Sequence, residues 1–389
     1  MARPSTNPGV ASLERIGDLE RRYVDEVLAT GFRTSAGDRF TKRLEVAFAE
    51  RIGTDYAIAL VNGTATLHTA LAAAGVGVGD EVIVPPLTMS ATTFGALQAG
   101  ATPVFADVDP TTWTLDPASV RAHVTDRTRA VIPVALFGLG PDMDGLMALA
   151  DQHDLFVLED DAQCFLGQIG DRVVGSIGNA ASFSLQSSKH ATSGEGGLLV
   201  TSDRDLADRV RRFSGLGYAS LGATQGRITR ETIQDPGYAR HVEMGFNYRI
   251  PELCAAVGLA QIERLDELVD VRIRAAAALG EIAEASGWLT AQTTPPGHRH
   301  TYWTYAVRID RDDVSWHTFR DAFAANGGDG IYAAWMLTYR EPAFAHLAQE
   351  CPVAEAVQPR LLLFKTNYWD PRDLERQVEA LEQTVAQLA

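Results

Sequence analysis

Apolar positions follow two different patterns along the chain. From about residue 55, short runs that are apolar at consecutive positions alternate with helical stretches; the runs cover residues 56–61, 81–84, 103–106, 130–134 and 156–158. A strand that is apolar at every position is buried on both faces, so the alternation predicts a mainly parallel sheet covered by helices on both sides. Ligands of such a sheet bind at the ends of its strands.

A different pattern begins after Pro251. Apolar residues recur there at mostly three- to four-residue intervals, which predicts one long helical segment; they are Leu259, Ile262, Leu265, Val269, Ala276 and Leu279. A strand-like run at 305–309 and an amphipathic helix after Asp370 predict a smaller α+β unit. We therefore expect an α/β protein with two domains. A large, mainly parallel-sheet domain with an N-terminal arm would cover residues 1–255, and a linking helix with a small C-terminal domain would cover residues 256–389.

Composition narrows the class of protein. The chain has 389 residues, 46% of them hydrophobic, and a net charge of −16 without a basic cluster, which argues against nucleic acid and anionic membranes as partners. No apolar run reaches the length of a membrane span and the first residues lack a signal core, so a cytoplasmic location is expected. Three widely spaced cysteines, Cys164, Cys254 and Cys351, indicate neither a disulfide framework nor a metal site.

Lys189 is the first candidate for covalent chemistry. It lies in a Ser- and Gly-rich turn between apolar runs at 181–183 and 197–200. Most lysines are solvated surface charges, but loops that extend from a rigid sheet commonly present functional groups. A lysine amine in such a loop can condense with the aldehyde of pyridoxal phosphate (PLP) and hold the cofactor until a substrate amine displaces it.

Asp160 is the second candidate, since it follows the apolar run at 155–158 and its carboxylate would lie at the end of the sheet. PLP needs such a group, because a carboxylate beside the pyridine nitrogen keeps that nitrogen protonated and the ring electron-withdrawing. The alternative role is an acid that caps a helix or pairs with an arginine. Glu159 and Asp161 are adjacent, so position alone does not single out Asp160.

A candidate phosphate site follows the first strand and precedes a helical run; it comprises Asn62, Gly63, Thr64 and Ala65. Backbone N–H groups at the start of such a helix bind phosphate. The alternative is an ordinary strand-turn-helix junction in which Thr64 is the N-cap. Ser184, five residues before Lys189, could add a hydroxyl to the same phosphate.

Together these motifs resemble the DegT/DnrJ/EryC1/StrS family of PLP-dependent sugar aminotransferases, which have the aspartate aminotransferase fold (fold type I). The resemblance covers nearly the whole chain. It is carried by residues 61–65, 79–85, 101–109, 159–160 with Gln163, Ser184 with Lys189, 194–197, 245–249 and 352–355.

The resemblance implies a role for each motif residue. Lys189 would form the internal aldimine, Asp160 would face the pyridine nitrogen, and Gln163 would lie near the phenolic oxygen of the ring. The phosphate would be held by Gly63, Thr64, Ala65 and Ser184. In this family an asparagine of the neighbouring subunit completes the phosphate site, and Asn247 matches it. The resemblance therefore implies a homodimer with two shared active sites.

The chain also departs from the family. Met89 stands where many relatives place an aromatic ring over the cofactor, although a thioether can pack on a ring face too. Trp303 lies near the position of a histidine in many relatives, and residues 361–367 replace another family run. Because a few relatives with histidine in place of the lysine are dehydratases, His190 is noteworthy; with Lys189 present, we interpret His190 as a structural neighbour.

The function implied is transfer of an amino group from glutamate or glutamine to a keto-sugar. A nucleotide-linked keto-hexose is the first choice, and a keto-inositol of the aminocyclitol antibiotic type is the second. Loops at 31–35, 218–230 and 332–339 would contact this acceptor. The alternatives are a PLP-dependent dehydratase, eliminase or decarboxylase, or a non-catalytic PLP-binding regulatory protein. A Rossmann-type nucleotide binder is weaker, because neither G-x-G-x-x-G nor a P-loop is present.

Overall fold

The structure, a computed structural model, describes residues 12–32, 39–225, 229–347 and 349–389. Parts of the expected N-terminal arm and of two candidate acceptor loops, at residues 1–11, 33–35 and 226–228, lie outside the described residues. No helix in the part of the chain that the structure describes is long and apolar enough to cross a membrane.

The large sheet has seven strands, and two short strands lie beside it. In chain order the strands are β1 (Tyr56–Leu60), β2 (Glu81–Val84), β3 (Thr102–Phe105), β4 (Thr128–Val131), β5 (Phe156–Asp160), the short β6 (Gln168–Ile169) and β7 (Arg172–Val173), β8 (Ala180–Ser184) and β9 (Gly197–Thr201). Their order in the sheet is β1-β9-β8-β5-β4-β2-β3. Only β9 runs antiparallel to its neighbours, so the predicted mainly parallel sheet is confirmed.

Helices cover both faces of this sheet. They are α1 (Asp18–Ala29), α2 (Arg39–Ile52), α3 (Gly63–Ala73), α4 (Ala91–Gln98), α5 (Pro117–His123), α6 (Met143–His153), α7 (Arg204–Ser214) and α9 (Glu252–Glu263). The short α8 (Arg230–Gln234) lies between α7 and α9 along the chain and has no buried residue. Strand β1 shows why its residues are apolar throughout. Ile58 and Leu60 pack into the core cluster of α3 and α7, whereas Ala57 and Ala59 pack into the cluster of α1, α2 and α9.

The segment after Pro251 is two helices rather than the single one predicted. Helix α9 ends at Glu263, and α10 (Leu265–Ser286) begins after Arg264, whose backbone leaves helical geometry. The Arg264 guanidinium donates to the buried carboxylate of Glu20 on α1, which holds the break in place. Apolar periodicity continues through the break, so the sequence pattern did not reveal it.

A second, antiparallel sheet follows α10. Its strands are β10 (Leu289–Ala291), β12 (Thr304–Ile309), β13 (Ile331–Ala333) and β14 (Leu361–Lys365), in the order β10-β12-β14-β13. The short β11 (His298–Arg299) pairs with β6, and the remaining helices are α11 (Trp316–Ala325), α12 (Pro352–Val357) and α13 (Pro371–Leu388). The expected boundary between residues 255 and 256 falls inside α9, and the division into two domains stays a prediction.

One contact explains why two distant sequence motifs occur together. The Asp107 carboxylate, just after β3, accepts the backbone N–H groups of Val353 and Ala354 at 2.8 and 2.9 Å. These N–H groups have no partner within α12, so the Asp107 carboxylate satisfies them, and its negative charge interacts favourably with the positive end of the helix dipole. The contact fixes the segment before β14 to the carboxyl end of the parallel sheet.

Candidate active site

Lys189 lies in the turn between β8 and β9, at the carboxyl end of β8. Its Nζ is 4.6 Å from the ring centroid of Trp303, and its backbone carbonyl accepts from the guanidinium groups of Arg15 and Arg272 at 2.9 and 3.0 Å. Burial, opposed by the charge of Asp160 and assisted by the charge of Arg272, lowers the pKa of the Lys189 amine to about 8. A neutral, nucleophilic amine is therefore accessible near neutral pH.

Asp160 is the last residue of β5 and is only 5% exposed. Its Oδ2 accepts from the Thr92 hydroxyl at 2.8 Å, and its Oδ1 accepts from the backbone N–H of Ala162 at 3.3 Å. Burial raises the pKa of the Asp160 carboxyl, although these hydrogen bonds and the charge of Lys189 act in the opposite direction. Among the described residues Asp160 forms no ion pair with an arginine, so it remains available to a ligand.

The two neighbouring acids face elsewhere. Glu159 accepts the N–H groups of Gly175, Ile177 and Gly178 at 2.6–2.9 Å and so holds the turn before β8. A Cβ on Gly175 would lie 3.0 Å from Oδ2 of Asp161, so Glu159 and Asp161 both face this turn while Asp160 faces Thr92. The structure thus separates Asp160 from the other two acids, which sequence position alone did not.

The start of α3 is shaped for an anion. Asn62, not Thr64, is the N-cap: its Oδ1 accepts from the N–H of Ala65 at 2.8 Å, which corrects the alternative assignment. Helical geometry gives the N–H groups of Gly63 and Thr64 no partner within the helix. A Cβ on Gly63 would lie 3.0 Å from the Ser184 Cβ, so the serine hydroxyl and the helix start are adjacent. The predicted phosphate residues are therefore brought together.

Gln163 and Met89 lie on either side of Asp160 along the chain. Gln163 is 2% exposed, and its Oε1 accepts from the N–H of Phe137 at 2.9 Å. Met89 immediately precedes α4, the helix that carries Thr92, and is half-exposed. Gln163 therefore follows the carboxyl end of β5 by three residues, and Met89 precedes Thr92, which contacts that end of β5, by three residues.

Asn247 lies on the surface, in the segment between α8 and α9. Its segment pairs with Gly215 and continues to Tyr248, whose carbonyl accepts from the N–H of Val61 at 2.8 Å. The Tyr248 hydroxyl is 3.1 Å from Nδ1 of His68 on α3. The segment is thus anchored beside the start of α3, while the Asn247 side chain is exposed.

An aromatic stack is the feature that the sequence did not reveal. Trp303 stacks on Trp335 with centroids 5.7 Å apart, and Trp335 stacks on Phe137 at 6.2 Å. Phe137 and Tyr302 both adopt left-handed backbone conformations, with φ of 61° and 48°, where the two segments meet. Trp303 and the loop of Trp335 were individual candidates, but their stacking on Phe137 requires contacts that only the fold supplies.

Arg272 and His190 are buried beneath the lysine turn. Arg272 was missed, although its helical spacing from Leu268 and Ala276 places it on the buried face of α10. His190 is fully buried, and its Nε2 is 2.9 Å from the carbonyl of Thr301. Burial holds the pKa of His190 well below its ordinary value, which supports the structural interpretation.

The donor set fits PLP. Lys189 offers an amine with a lowered pKa, Asp160 offers a buried carboxyl that no arginine neutralises, and the start of α3 with Ser184 offers donors to a phosphate. These groups lie at the carboxyl ends of β5 and β8 and at the end of β1. This is the edge at which a sheet of this type binds its ligands.

Comparisons with known proteins identify the family of the chain. The model of the DegT/DnrJ/EryC1/StrS aminotransferase family matches residues 14–370. GDP-perosamine synthase of Caulobacter vibrioides is 36% identical over 384 residues, which cover 95% of this chain and 96% of that protein. L-glutamine:2-deoxy-scyllo-inosose aminotransferase of Streptomyces lividus is 39% identical over 293 residues, covering 74% and 68% of the two chains.

A solved structure extends the similarity to the whole fold. The aminotransferase from Psychrobacter cryohalolentis superimposes with a TM-score of 0.87 at 29% identity, covering 97% of this chain and 99% of that one. These matches confirm the fold, the aminotransferase activity and the PLP cofactor expected from the sequence. The chain belongs to the DegT/DnrJ/EryC1/StrS aminotransferase family.

Proposed function

We propose that the enzyme transfers an amino group from glutamate or glutamine to a nucleotide-linked keto-sugar, with Lys189 as its catalytic amine. The observation that carries this proposal is the partly buried Lys189 amine, with its pKa lowered to about 8, in electrostatic contact with Asp160. The match to GDP-perosamine synthase over 95% of the chain supports a nucleotide-linked acceptor. The match to a scyllo-inosose aminotransferase keeps a keto-cyclitol, as in antibiotic biosynthesis, as the second candidate.

PLP, when bound, supplies an aldehyde that exchanges between amines and a ring that withdraws electrons from the bound substrate. Lys189 would hold its aldehyde, Asp160 its ring nitrogen and Gln163 its phenolic oxygen. The phosphate would be held by Gly63, Thr64, Ala65 and Ser184, with Asn247 of a neighbouring subunit. Met89 would pack near the ring.

Lys189 is suited to move protons once its amine is free. With a pKa of about 8, roughly a tenth of the amine is neutral at pH 7, far more than for an ordinary lysine. Nζ would then take the proton from the α-carbon of the amino donor and deliver it to the carbon that the cofactor's aldehyde supplies, and in the second half-reaction it would move a proton from that carbon to the acceptor carbon. The hydrogen bond from Thr92 fixes the Asp160 carboxyl throughout.

The aromatic stack gives the acceptor a surface to bind. Trp303 and Trp335 are both half-buried, and Trp303 lies directly beside Lys189. The C–H face of a sugar or cyclitol ring packs well on such a flat apolar wall, and the wall excludes water from the amine. Tyr332 and Met336, 60% and 50% exposed on the same loop as Trp335, would extend the contact outwards.

The enzyme is proposed to be a homodimer with shared active sites. Exposed apolar residues precede Asn247 on the chain: Val242, Met244 and Phe246 are 59%, 90% and 46% exposed. Apolar side chains clustered on a surface commonly mark an interface between proteins. The cytoplasmic location expected from the sequence remains a prediction.

Mixing two inactive variants tests the shared site. Lys189→Ala lacks the amine, and Asn247→Ala lacks the residue that would reach the neighbouring site. A mixed dimer would contain one site with both residues intact, so about a quarter of wild-type sites should be restored after random exchange of subunits. If the mixture is no more active than its components, the site is not shared through Asn247.

The visible absorption spectrum tests the amino-transfer function. Purified protein with added PLP should show a yellow band that glutamate or glutamine bleaches, and Lys189→Ala should not form the same band. Lys42→Arg is the matched control, because it removes an exposed lysine elsewhere. A band that neither donor changes would redirect the proposal to dehydration, elimination or a binding role, and the absence of a band would refute Lys189 as the anchor.

A further inference from the structure

Arg272 is a buried cation whose role the site chemistry does not yet explain. We propose that Arg272 is a positioning residue for Lys189, whose guanidinium fixes the backbone of the lysine turn and places a positive charge directly behind the lysine. The inference deepens the proposed function and rests on it, because a lysine that exchanges with substrate amines must be held in place and be neutral for part of the time.

The first observation is the set of hydrogen bonds that Arg272 donates. From Nη2 it donates to the carbonyl of Ser188 at 2.8 Å and to that of Lys189 at 3.0 Å. From Nη1 it donates to the carbonyl of Trp303 at 2.7 Å and to the Thr366 hydroxyl at 3.1 Å. One rigid, planar group therefore joins the lysine turn of the large sheet to the entry of β12 and the end of β14.

The second observation is the absence of a counter-ion. Arg272 is 1% exposed, and no carboxylate within the described ranges lies at ion-pair distance from it. Removing such a group from water is costly unless it is hydrogen-bonded, and here neutral carbonyl and hydroxyl oxygens accept from Nη1 and Nη2, while Nε has no partner among the described residues. Burial and the charge of Arg15 lower the pKa of Arg272 to about 9, which leaves it positively charged at pH 7.

Four ionisable groups lie around the Lys189 turn, and two of them shift the pKa of its amine. Asp160 at the end of β5 favours the charged amine, whereas Arg272 on α10 disfavours it. Arg15, before α1, contacts the same carbonyl of Lys189 as Arg272 does. His190 is neutral near pH 7, because burial holds its pKa well below the ordinary value. Arg272 therefore acts as an uncompensated positive charge behind the lysine.

The composition of the chain makes the lysine directly measurable. Lys42, Lys189 and Lys365 are its three lysines, against 31 arginines. Full-length protein labelled with [ε-¹³C]lysine and freed of PLP should give three signals, and the Lys189→Ala variant assigns the one of interest. Titration of that signal reports the pKa of Lys189 without substrate or turnover, so its outcome is independent of whether the acceptor has been identified.

Two substitutions separate the charge of Arg272 from its hydrogen bonds. Arg272→Gln keeps amide donors and removes the charge, so we expect the pKa of Lys189 to rise on the order of one pH unit, equal to a tenfold loss of neutral amine at pH 7. Arg272→Lys keeps the charge and should leave that pKa low. Both variants lose the guanidinium that donates to the carbonyls of Ser188 and Lys189, so the backbone amides of residues 186–190 should exchange hydrogen with solvent faster in both.

Arg211→Gln is the matched control. Arg211 is also a buried arginine, 8% exposed, but its guanidinium pairs with Glu45 at 2.7 and 2.9 Å instead of the lysine turn. It should change neither measurement. An unchanged pKa of Lys189 in folded Arg272→Gln, or unchanged exchange at the turn in both variants, overturns the proposal. If Arg272→Gln does not fold, Arg272→Lys decides through the exchange measurement alone.

Discussion

The hydrogen bond from Thr92 to Asp160 links the first turn of α4 to the end of β5. Thr92 is fully buried, and its Oγ1 lies 2.8 Å from Oδ2 of Asp160. Thr92→Val replaces the hydroxyl by a methyl group of nearly the same size. Oδ2 of Asp160 therefore loses its donor, and no cavity forms. Thr92→Ser is the control, because it keeps the hydroxyl and loses only the methyl group.

The cost of Thr92→Val should depend on pH. Burial raises the pKa of Asp160, so the native state binds a proton more readily than the unfolded chain does. The free energy of unfolding therefore falls as the pH rises from the ordinary pKa of an aspartate through the raised pKa of Asp160 in the folded protein. The Thr92 bond favours the charged form, and its loss raises that pKa further. We expect Thr92→Val to lower the free energy of unfolding by about 1 kcal/mol at a pH where Asp160 is protonated and by about 1.5–3 kcal/mol where it is charged.

Melting temperatures of PLP-free protein, measured at fixed protein concentration between about pH 4 and pH 8, test this expectation. A chain of 389 residues gains about 0.8 kcal/mol/K of entropy on unfolding, so 1 kcal/mol shifts the melting temperature by about 1 °C. The deficit of Thr92→Val should grow by about 1–2 °C over this range. The deficit of Thr92→Ser should stay constant. Parallel curves for the two variants would refute the reasoning.

Three further predictions concern other parts of the site. Asn62→Ala removes the cap of α3, so it should cost about 0.5–2 kcal/mol of stability and weaken PLP binding in a spectroscopic titration, whereas Asn62→Ser should retain most of both. Asp161→Asn replaces a buried acid whose Oδ2 has no hydrogen-bond partner among the described residues and whose pKa is raised well above its ordinary value. Because such an acid lowers stability most where the unfolded chain is ionised, the variant should gain more melting temperature at pH 8 than at pH 4, and an equal gain would contradict this. Trp335→Ala should raise the KM for the keto acceptor while glutamate or glutamine bleaches the PLP band as before; equal loss in both half-reactions would exclude a role confined to the acceptor.

The large sheet could be predicted because burial on both faces leaves a direct record in the sequence. Ile58 and Ala59 are adjacent and pack into different core clusters, so both must be apolar. Strand direction leaves no such record: β9 is as apolar as its neighbours but runs antiparallel to them. The helix break at Arg264 was missed for a related reason, since it depends on a carboxylate from α1, more than two hundred residues earlier in the chain.

The start of α3 shows the limit of local reasoning. Asn62 and Thr64 are both good N-cap residues, and the sequence offers no means of choosing between them. Tertiary packing makes the choice: a Cβ on Gly197 would lie 2.4 Å from the carbonyl of Asn62, so β9 approaches this residue closely and its backbone is extended, with φ of −167°. An N-cap at Asn62 rather than Thr64 moves the helix start by two residues and makes the N–H groups of Gly63 and Thr64 the free donors of the proposed phosphate site.

The two halves of the site differ in how far apart their residues lie in the sequence, and this decides what could be predicted. The proposed cofactor half consists of short motifs at strand ends, whereas the proposed acceptor half joins Phe137, Trp303 and Trp335 across the fold. One signal was available and unused. A chain that has 31 arginines and three lysines meets most needs for positive charge with arginine, which does not lose its proton near pH 7. A lysine in a Ser- and Gly-rich turn of such a chain is therefore a stronger candidate for an amine that must lose its proton, and that lysine is Lys189.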